Sequence, residues 1–250
     1  MSKIISVHSF RGGAGKSNTT ANLASLCAVR GLKAGVVDTD IQSPGIHVPF
    51  GLKKEDIKYS LNDFLWGACE IKQASYNLTK QLGIYSGGEA HLIPSSIKID
   101  DITRVIHDGY DVNMLNEGFK NAIKDLNLDV LFIDTHPGLN DDTLLSIALS
   151  DALLILLRPD YQDYQGTDIT VEIAKQLEVP QLELIVNKTP VQYDFEKIKS
   201  NVESAYNCSV AAVIPHSDDL MALASKGIFS LQNPDHQLTK IYESILEKIL

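Results

Sequence analysis

The chain lacks the marks of membrane-spanning and secreted proteins. No window approaches the roughly 18 uninterrupted apolar residues a helix needs to cross a bilayer. Only three cysteines occur, Cys27, Cys69 and Cys208, odd in number and far apart. They suit neither a disulfide framework nor a metal cluster, and agree with a reducing cytosol. The first residues turn to Arg11-Gly12-Gly13 before the apolar core of a signal peptide could form, so a cytoplasmic protein is expected. Positive charge is also scarce. With 22 basic and 32 acidic residues the formal net charge is −10, so binding to nucleic acid or anionic lipid would need a local basic patch. Arginine is scarcest of all: Arg11, Arg30, Arg104 and Arg158 are the only four. Arginine differs from lysine in planar, bidentate anion recognition, which makes their positions informative.

A composition of 44% hydrophobic and 22% charged residues excludes global disorder. No repeat, low-complexity tract or linker interrupts the sequence, and residues 1–250 read as a single domain. Short apolar runs at Ile4–His8, Ala34–Asp38, Val130–Asp134, Ala152–Leu157, Leu182–Val186 and Ala211–Ile214 predict strands. Most are continuously apolar, as strands buried on both faces are. Helical patterns fall between them, at Lys16–Arg30, Asn113–Leu126, Asp141–Leu149 and Gln165–Leu177. The alternation predicts an α/β fold with a twisted, mainly parallel sheet and helices on both faces. Residues 39–111 are less regular, with a weak strand at His91–Pro94, and read as an excursion between two core strands.

Between the first strand and first helix lies Phe10-Arg11-Gly12-Gly13-Ala14-Gly15-Lys16-Ser17-Asn18. Glycines let backbone N–H groups turn inward around anionic oxygens, and the helix presents its positive end to the same place. Lys16 would neutralise terminal phosphates, and the Ser17 hydroxyl suits Mg²⁺. The generic phosphate-loop pattern wants its first glycine where Phe10 stands, so the strict pattern is not met.

This loop resembles that of the deviant Walker-A P-loop ATPases of the ParA/MinD type, which reads Lys-Gly-Gly-x-Gly-Lys-Ser/Thr. The resemblance implies ATP and Mg²⁺ as cofactors, with Gly12, Gly13, Ala14, Gly15, Lys16, Ser17 and Asn18 cradling the phosphates. It also implies ATP-dependent homodimers, in which the first lysine of the loop reaches the partner's phosphates. Arg11 stands at that position, a departure that keeps the charge. Some carboxysome-positioning members of the family also lack that lysine and supply one from elsewhere.

Further stations recur in order. Asp38 and Asp40 end the second strand, two residues apart, and so point alike toward the ligand crevice. The resemblance implies that Asp40 orients the attacking water and that Asp38 supports the Mg²⁺ and Lys16 environment. Asp134 ends a buried apolar strand, which is costly unless a cation or donor meets it, and near Ser17 it would hold Mg²⁺ through water. His136, in Asp134-Thr135-His136-Pro137-Gly138, reads either as a proton acceptor or as a packing and hydrogen-bonding residue. Arg158 ends the Ala152–Leu157 strand; it belongs either near the site and dimer seam, or on the surface paired with Asp160 or Asp163. The resemblance also assigns two loops to the adenine: Asn187-Lys188, and Pro215 with its successors.

The implied function is an ATP-hydrolysing switch that positions or partitions a cargo, such as DNA, a protein complex or an organelle, through an adaptor protein. A metabolic or assembly-factor ATPase of the same superfamily is the rival reading. Iron–sulfur carriers in that group place paired cysteines at the dimer interface, and this chain has no Cys-x-x-Cys. Leu238, Ile241, Ile245, Leu246 and Ile249 follow helical spacing with balanced charge around them, so this segment reads as a helix docked on the core rather than a membrane anchor. Nonspecific DNA binding, and with it nucleoid association, stays open through Lys197, Lys199 and Lys226.

Overall fold

A computed structural model describes residues 2–250. Eight strands form one sheet: β1 (Lys3–His8), β2 (Lys33–Asp38), β3 (Tyr76–Asn77), β4 (Glu89–Ile93), β5 (Val130–Asp134), β6 (Ala152–Leu157), β7 (Gln181–Thr189) and β8 (Ser209–Pro215). Their order is β3-β4-β2-β5-β1-β6-β7-β8. Every pairing is parallel except the short β3–β4 contact at the edge. The helices are α1 (Lys16–Val29), α2 (Leu61–Leu65), α3 (Ile99–Asp108), α4 (Asn113–Leu126), α5 (Asp141–Ala148), α6 (Tyr161–Gln176), α7 (Phe195–Tyr206), α8 (Asp218–Leu223), α9 (Phe229–Gln232) and α10 (Gln237–Ile249).

Apolar residues on both sheet faces explain the continuous runs. Ile5, Val7, Val36, Phe132 and Leu154 join one core with Leu23, Leu246 and Ile249 of α1 and α10. Val37, Leu131 and Ile133 face the other way, toward Leu115 and Phe119 of α4. Helices thus cover both faces, as the sequence pattern requires.

Two expectations need correction. The fourth predicted helix, α6, begins at Tyr161 rather than Gln165, because Asp160 caps it and accepts the N–H groups of Gln162 and Asp163. Residues 39–111 are more than an excursion: β4 lies inside the sheet, parallel to β2, from Lys33↔Glu89 to Val37↔Ile93. Its five residues include Glu89 and His91, which blur the apolar signal. The α10 segment docks on the core as expected, burying Leu238, Tyr242, Ile245, Leu246 and Ile249.

Candidate functional site

Parallel register brings the strand ends together. Asp38 of β2 pairs with Asp134 of β5, and Val7 of β1 pairs with the same Asp134. The chain then leaves β1 through the glycine loop and enters α1, whose N-cap is Gly15 in the left-handed region (φ 105°). Any Cβ there would collide with the Asn187 side-chain amide. That amide donates to the Ala14 carbonyl at 2.8 Å, and Lys188 Nζ donates to the Gly13 carbonyl at 2.8 Å. The two residues after the straight part of β7 therefore hold the loop from outside.

The loop borders a cleft of about 310 Å³ lined by Gly12, Gly13, Gly15, Lys16, Ser17, Asn18, Asp40, Ser43, Pro137 and Lys188. Lys16 Nζ is buried and donates to Ser9 Oγ at 3.3 Å. Burial pulls its pKa down, opposed by the charges of Asp134, Asp40 and Asp38. The carboxylates show the converse. Burial pushes Asp134 up to about 6, against donation from Ser17 and Thr20 and the charge of Lys16. Asp38 is raised well above the usual carboxylate range by burial and then by Asp134 and Asp40. One Asp38 oxygen accepts the Asp40 N–H at 3.1 Å, and its Oδ2 is buried with no partner. Three acids around one ammonium form a site short of positive charge. Yet no three His, Cys, Asp or Glu side chains among the described residues form a metal ligand set. A divalent cation there would need hydroxyl, water or ligand oxygens to complete its shell.

His136 follows β5, and its Nδ1 lies 2.7 Å from Asp40 Oδ1. Asp40 Oδ1 also accepts the Ser43 N–H at 3.2 Å. His8, at the end of β1, is fully buried with Nδ1 2.7 Å from Thr135 Oγ1. That hydroxyl already donates to the Val7 carbonyl at 3.0 Å, so the imidazole must be the donor in its own contact. Burial, followed by the charges of Lys16 and His136, lowers the His8 pKa to about 3.

The two arginines singled out in the sequence lie outside this cleft. Arg158 Nε and Nη2 grip Asp163 at 3.0 and 3.1 Å, and the Arg158 N–H donates to the same carboxylate at 2.9 Å. Arg11 Nη1 donates to Asp163 Oδ1 at 3.2 Å and lies 3.6 Å from Asp160. Arg158 thus makes the ion pair with Asp163 that its neighbourhood in the sequence offers. Arg11 turns toward α6, where it lines a different hollow with Phe10, Gln162 and Gly166.

A second cleft of about 310 Å³ shares Lys188 with the first; Pro190, Val191, Gln192, His216 and Asp218 form the rest of its lining. Pro215 itself pairs with Thr189 in the sheet, and its successor His216 is the residue that reaches this cleft. The structure thus gathers the loop residues, Asp38, Asp40, Asp134, Asn187 and Lys188 at one place. The sequence points to Asp163 only as one of two possible partners of Arg158, and gives no sign of the parts taken by His8, Ser9, Thr20 and Ser43.

A family model described as an AAA domain matches residues 2–186. An uncharacterised ATP-binding protein of Methanocaldococcus jannaschii is 28% identical over 252 residues, spanning 100% of this chain and 88% of that protein. The cell division ATPase MinD of Pyrococcus furiosus superposes with a TM-score of 0.82 at 22% identity, covering 100% of this chain and 98% of that one. An ATP complex of Cyanothece McdA superposes with a TM-score of 0.79 at 19% identity, covering 98% and 95%. At such identities the structural likeness is one of fold.

Proposed function

Because the chain belongs to the AAA domain family and has the fold of MinD- and ParA-type nucleotide-binding ATPases, we propose that it binds Mg·ATP and hydrolyses it slowly. The observation that carries this reading is the pair of clefts joined at Lys188. One is edged by loop glycines and Lys16 and suits a triphosphate; the other, between the ends of β7 and β8, suits the nucleoside. The loop is open at Gly13, where nothing stands within 4 Å of an added Cβ.

The roles follow from chemistry. The loop N–H groups from Gly12 to Asn18 and the Lys16 ammonium would hold the phosphates. Ser17, with Asp134 and Asp38 behind it, would hold Mg²⁺. Bound Mg²⁺ supplies charge that offsets the phosphate oxygens. Asp40, at the cleft wall, would orient water for attack, a task that depends on placement more than on base strength. Asn187, Lys188 and the segment after Pro215 would border the base. In this reading residues 1–250 act as one ATPase domain that dimerises with ATP, and an adaptor protein links the dimer to a cargo.

Nucleotide affinity and turnover separate these roles. Lys16→Ala should lose ATP binding, whereas Asp40→Ala should bind ATP and lose hydrolysis. Equal ATP affinity in wild type and Lys16→Ala would sink the assignment.

A further inference from the structure

We propose that His136 is a positioning residue for hydrolysis: it pins one oxygen of Asp40 and so leaves the other free for the attacking water. This rests on the hydrolysis reading above and assigns a role to a side chain outside the phosphate loop.

Asp40 follows β2 in an irregular segment, so no helix or ladder fixes its side chain. Free rotation of a carboxylate would blur any water it orients, and small misplacements of reacting groups are expensive. Two donors remove that freedom, and both meet the same atom. The Ser43 N–H reaches Oδ1 at 3.2 Å and His136 Nδ1 reaches it at 2.7 Å. Asp40 Oδ2 has no protein donor among the described residues, and the residue lines the loop cleft beside Lys16 and Ser17. A carboxylate accepts only, so Nδ1 must carry the proton in this contact.

Position adds a second layer. His136 lies in the segment that joins Asp134 to Pro137 and Gly138; Pro137 edges the cleft, and the Gly138 N–H is bound to the Ser9 carbonyl at 3.2 Å. One short segment therefore touches both the glycine-loop side and the water-orienting acid. A shift of Pro137 against bound phosphate would be passed to Asp40 through His136.

The test uses the full chain and three substitutions. Asn places an amide N–H near the position of histidine Nδ1, Gln places one near Nε2, and Ala places none. His136→Ala and His136→Gln should lower kcat about tenfold or more, with affinity for a fluorescent ADP analogue within about twofold of wild type. His136→Asn should recover most of the rate. Should His136→Ala fail to fold, the Asn and Gln variants carry the comparison, each checked by circular dichroism.

A measurement without nucleotide completes it. Long-range ¹H–¹⁵N correlation in alkaline buffer should show the His136 proton on Nδ1 in wild type, and a return toward the Nε2–H tautomer in Asp40→Ala. A bare Nδ1 in wild type, equal turnover in wild type and His136→Ala, or Asn and Gln variants of equal rate would each overturn the role. A wild type that binds ATP without turnover would instead remove the hydrolysis reading, and this role with it.

Discussion

Arg11 and Arg158 share one oxygen: Nη1 of the first lies 3.2 Å, and Nη2 of the second 3.1 Å, from Oδ1 of Asp163. The sharing is unequal. Arg158 adds Nε and its backbone N–H to the other oxygen, while Arg11 makes a single donation. The Asp163 side chain is only 3% exposed and Arg11 is 39% exposed. Arg158 is therefore committed to holding α6 on the end of β6. Arg11 is the more readily released, and in the dimer reading proposed above it is the loop residue that would reach a second subunit.

Urea unfolding should separate the two. Arg158→Ala should cost about 2 kcal/mol, because Asp163 loses a two-pronged charged partner while buried. Arg11→Ala should cost less than about 1 kcal/mol, as partly exposed ion pairs do. The order of effects on ATP-induced dimers should be the reverse, with Arg11→Ala the more damaging. Dimers that persist with full turnover in Arg11→Ala would assign the trans contact elsewhere.

Dimerisation itself is read most directly in a hydrolysis-blocked background. Asp40→Ala should double its mass by light scattering with ATP and remain monomeric with ADP. Burying phosphate between subunits needs positive partners from both sides, since unpaired buried charge is costly. A mass indifferent to nucleotide would count against the switching mechanism.

Gly166 offers a test at a distance from the cleft. It lies in α6, and a Cβ added there would run into the Phe10 ring. Phe10 is the residue before Arg11, so its displacement moves the entrance to the glycine loop. Gly166→Ala should cost about 1–3 kcal/mol, as overpacked sites do, and weaken ATP binding as well. Gly45→Ala meets nothing within 4 Å and should stay within about 0.5 kcal/mol of wild type. Unchanged affinity in Gly166→Ala would detach Phe10 from the loop's geometry.

His8 predicts how the nucleotide-free protein responds to acid. Its folded pKa, about 3, lies below the ordinary value of 6.5, so folding favours the neutral ring. Its contribution is intact above about pH 6.5 and is lost progressively as pH falls toward 3. Replacing His8 with Asn, which cannot titrate, should flatten stability against pH in that window by an amount on the order of a few kcal/mol. Denaturant midpoints across the range measure it. Parallel curves for the two proteins would mean that His8 is not held neutral by the fold.

Much of this could be read from the chain because strand ends announce themselves. An apolar run closed by Asp38 or Asp134 states both burial and exit point, and the glycine cluster before Lys16 states the turn. Contacts between irregular segments have no such period. Asp40 and His136 meet across two loops, and neither segment has a repeat that points to the other. Spacing along the chain offers Asp163 to Arg158 as a partner; only the folded chain shows that Arg11 closes on it as well. Glu89 and His91 weaken the signal of β4 for a different reason: polar residues dilute the apolar run, so the sequence predicts a strand only from His91 to Pro94, whereas β4 begins at Glu89.

The helix behind the glycine loop has consequences for how the protein is made. Buried residues of α1 include Thr19, Thr20, Asn22 and Ser25 as well as its apolar side chains, and Asn22 accepts the Ser230 N–H at 2.8 Å from α9. One side of it packs on the sheet, and the rest of its backing comes from α9 and α10, far downstream in the chain. A nascent chain could form β1 and the loop early on the ribosome, yet the side of α1 turned from the sheet would stand uncovered until residues 229–249 emerged. A chain cut before residue 229 would keep the glycine loop and lose part of the cover over the helix that carries Lys16 and Ser17.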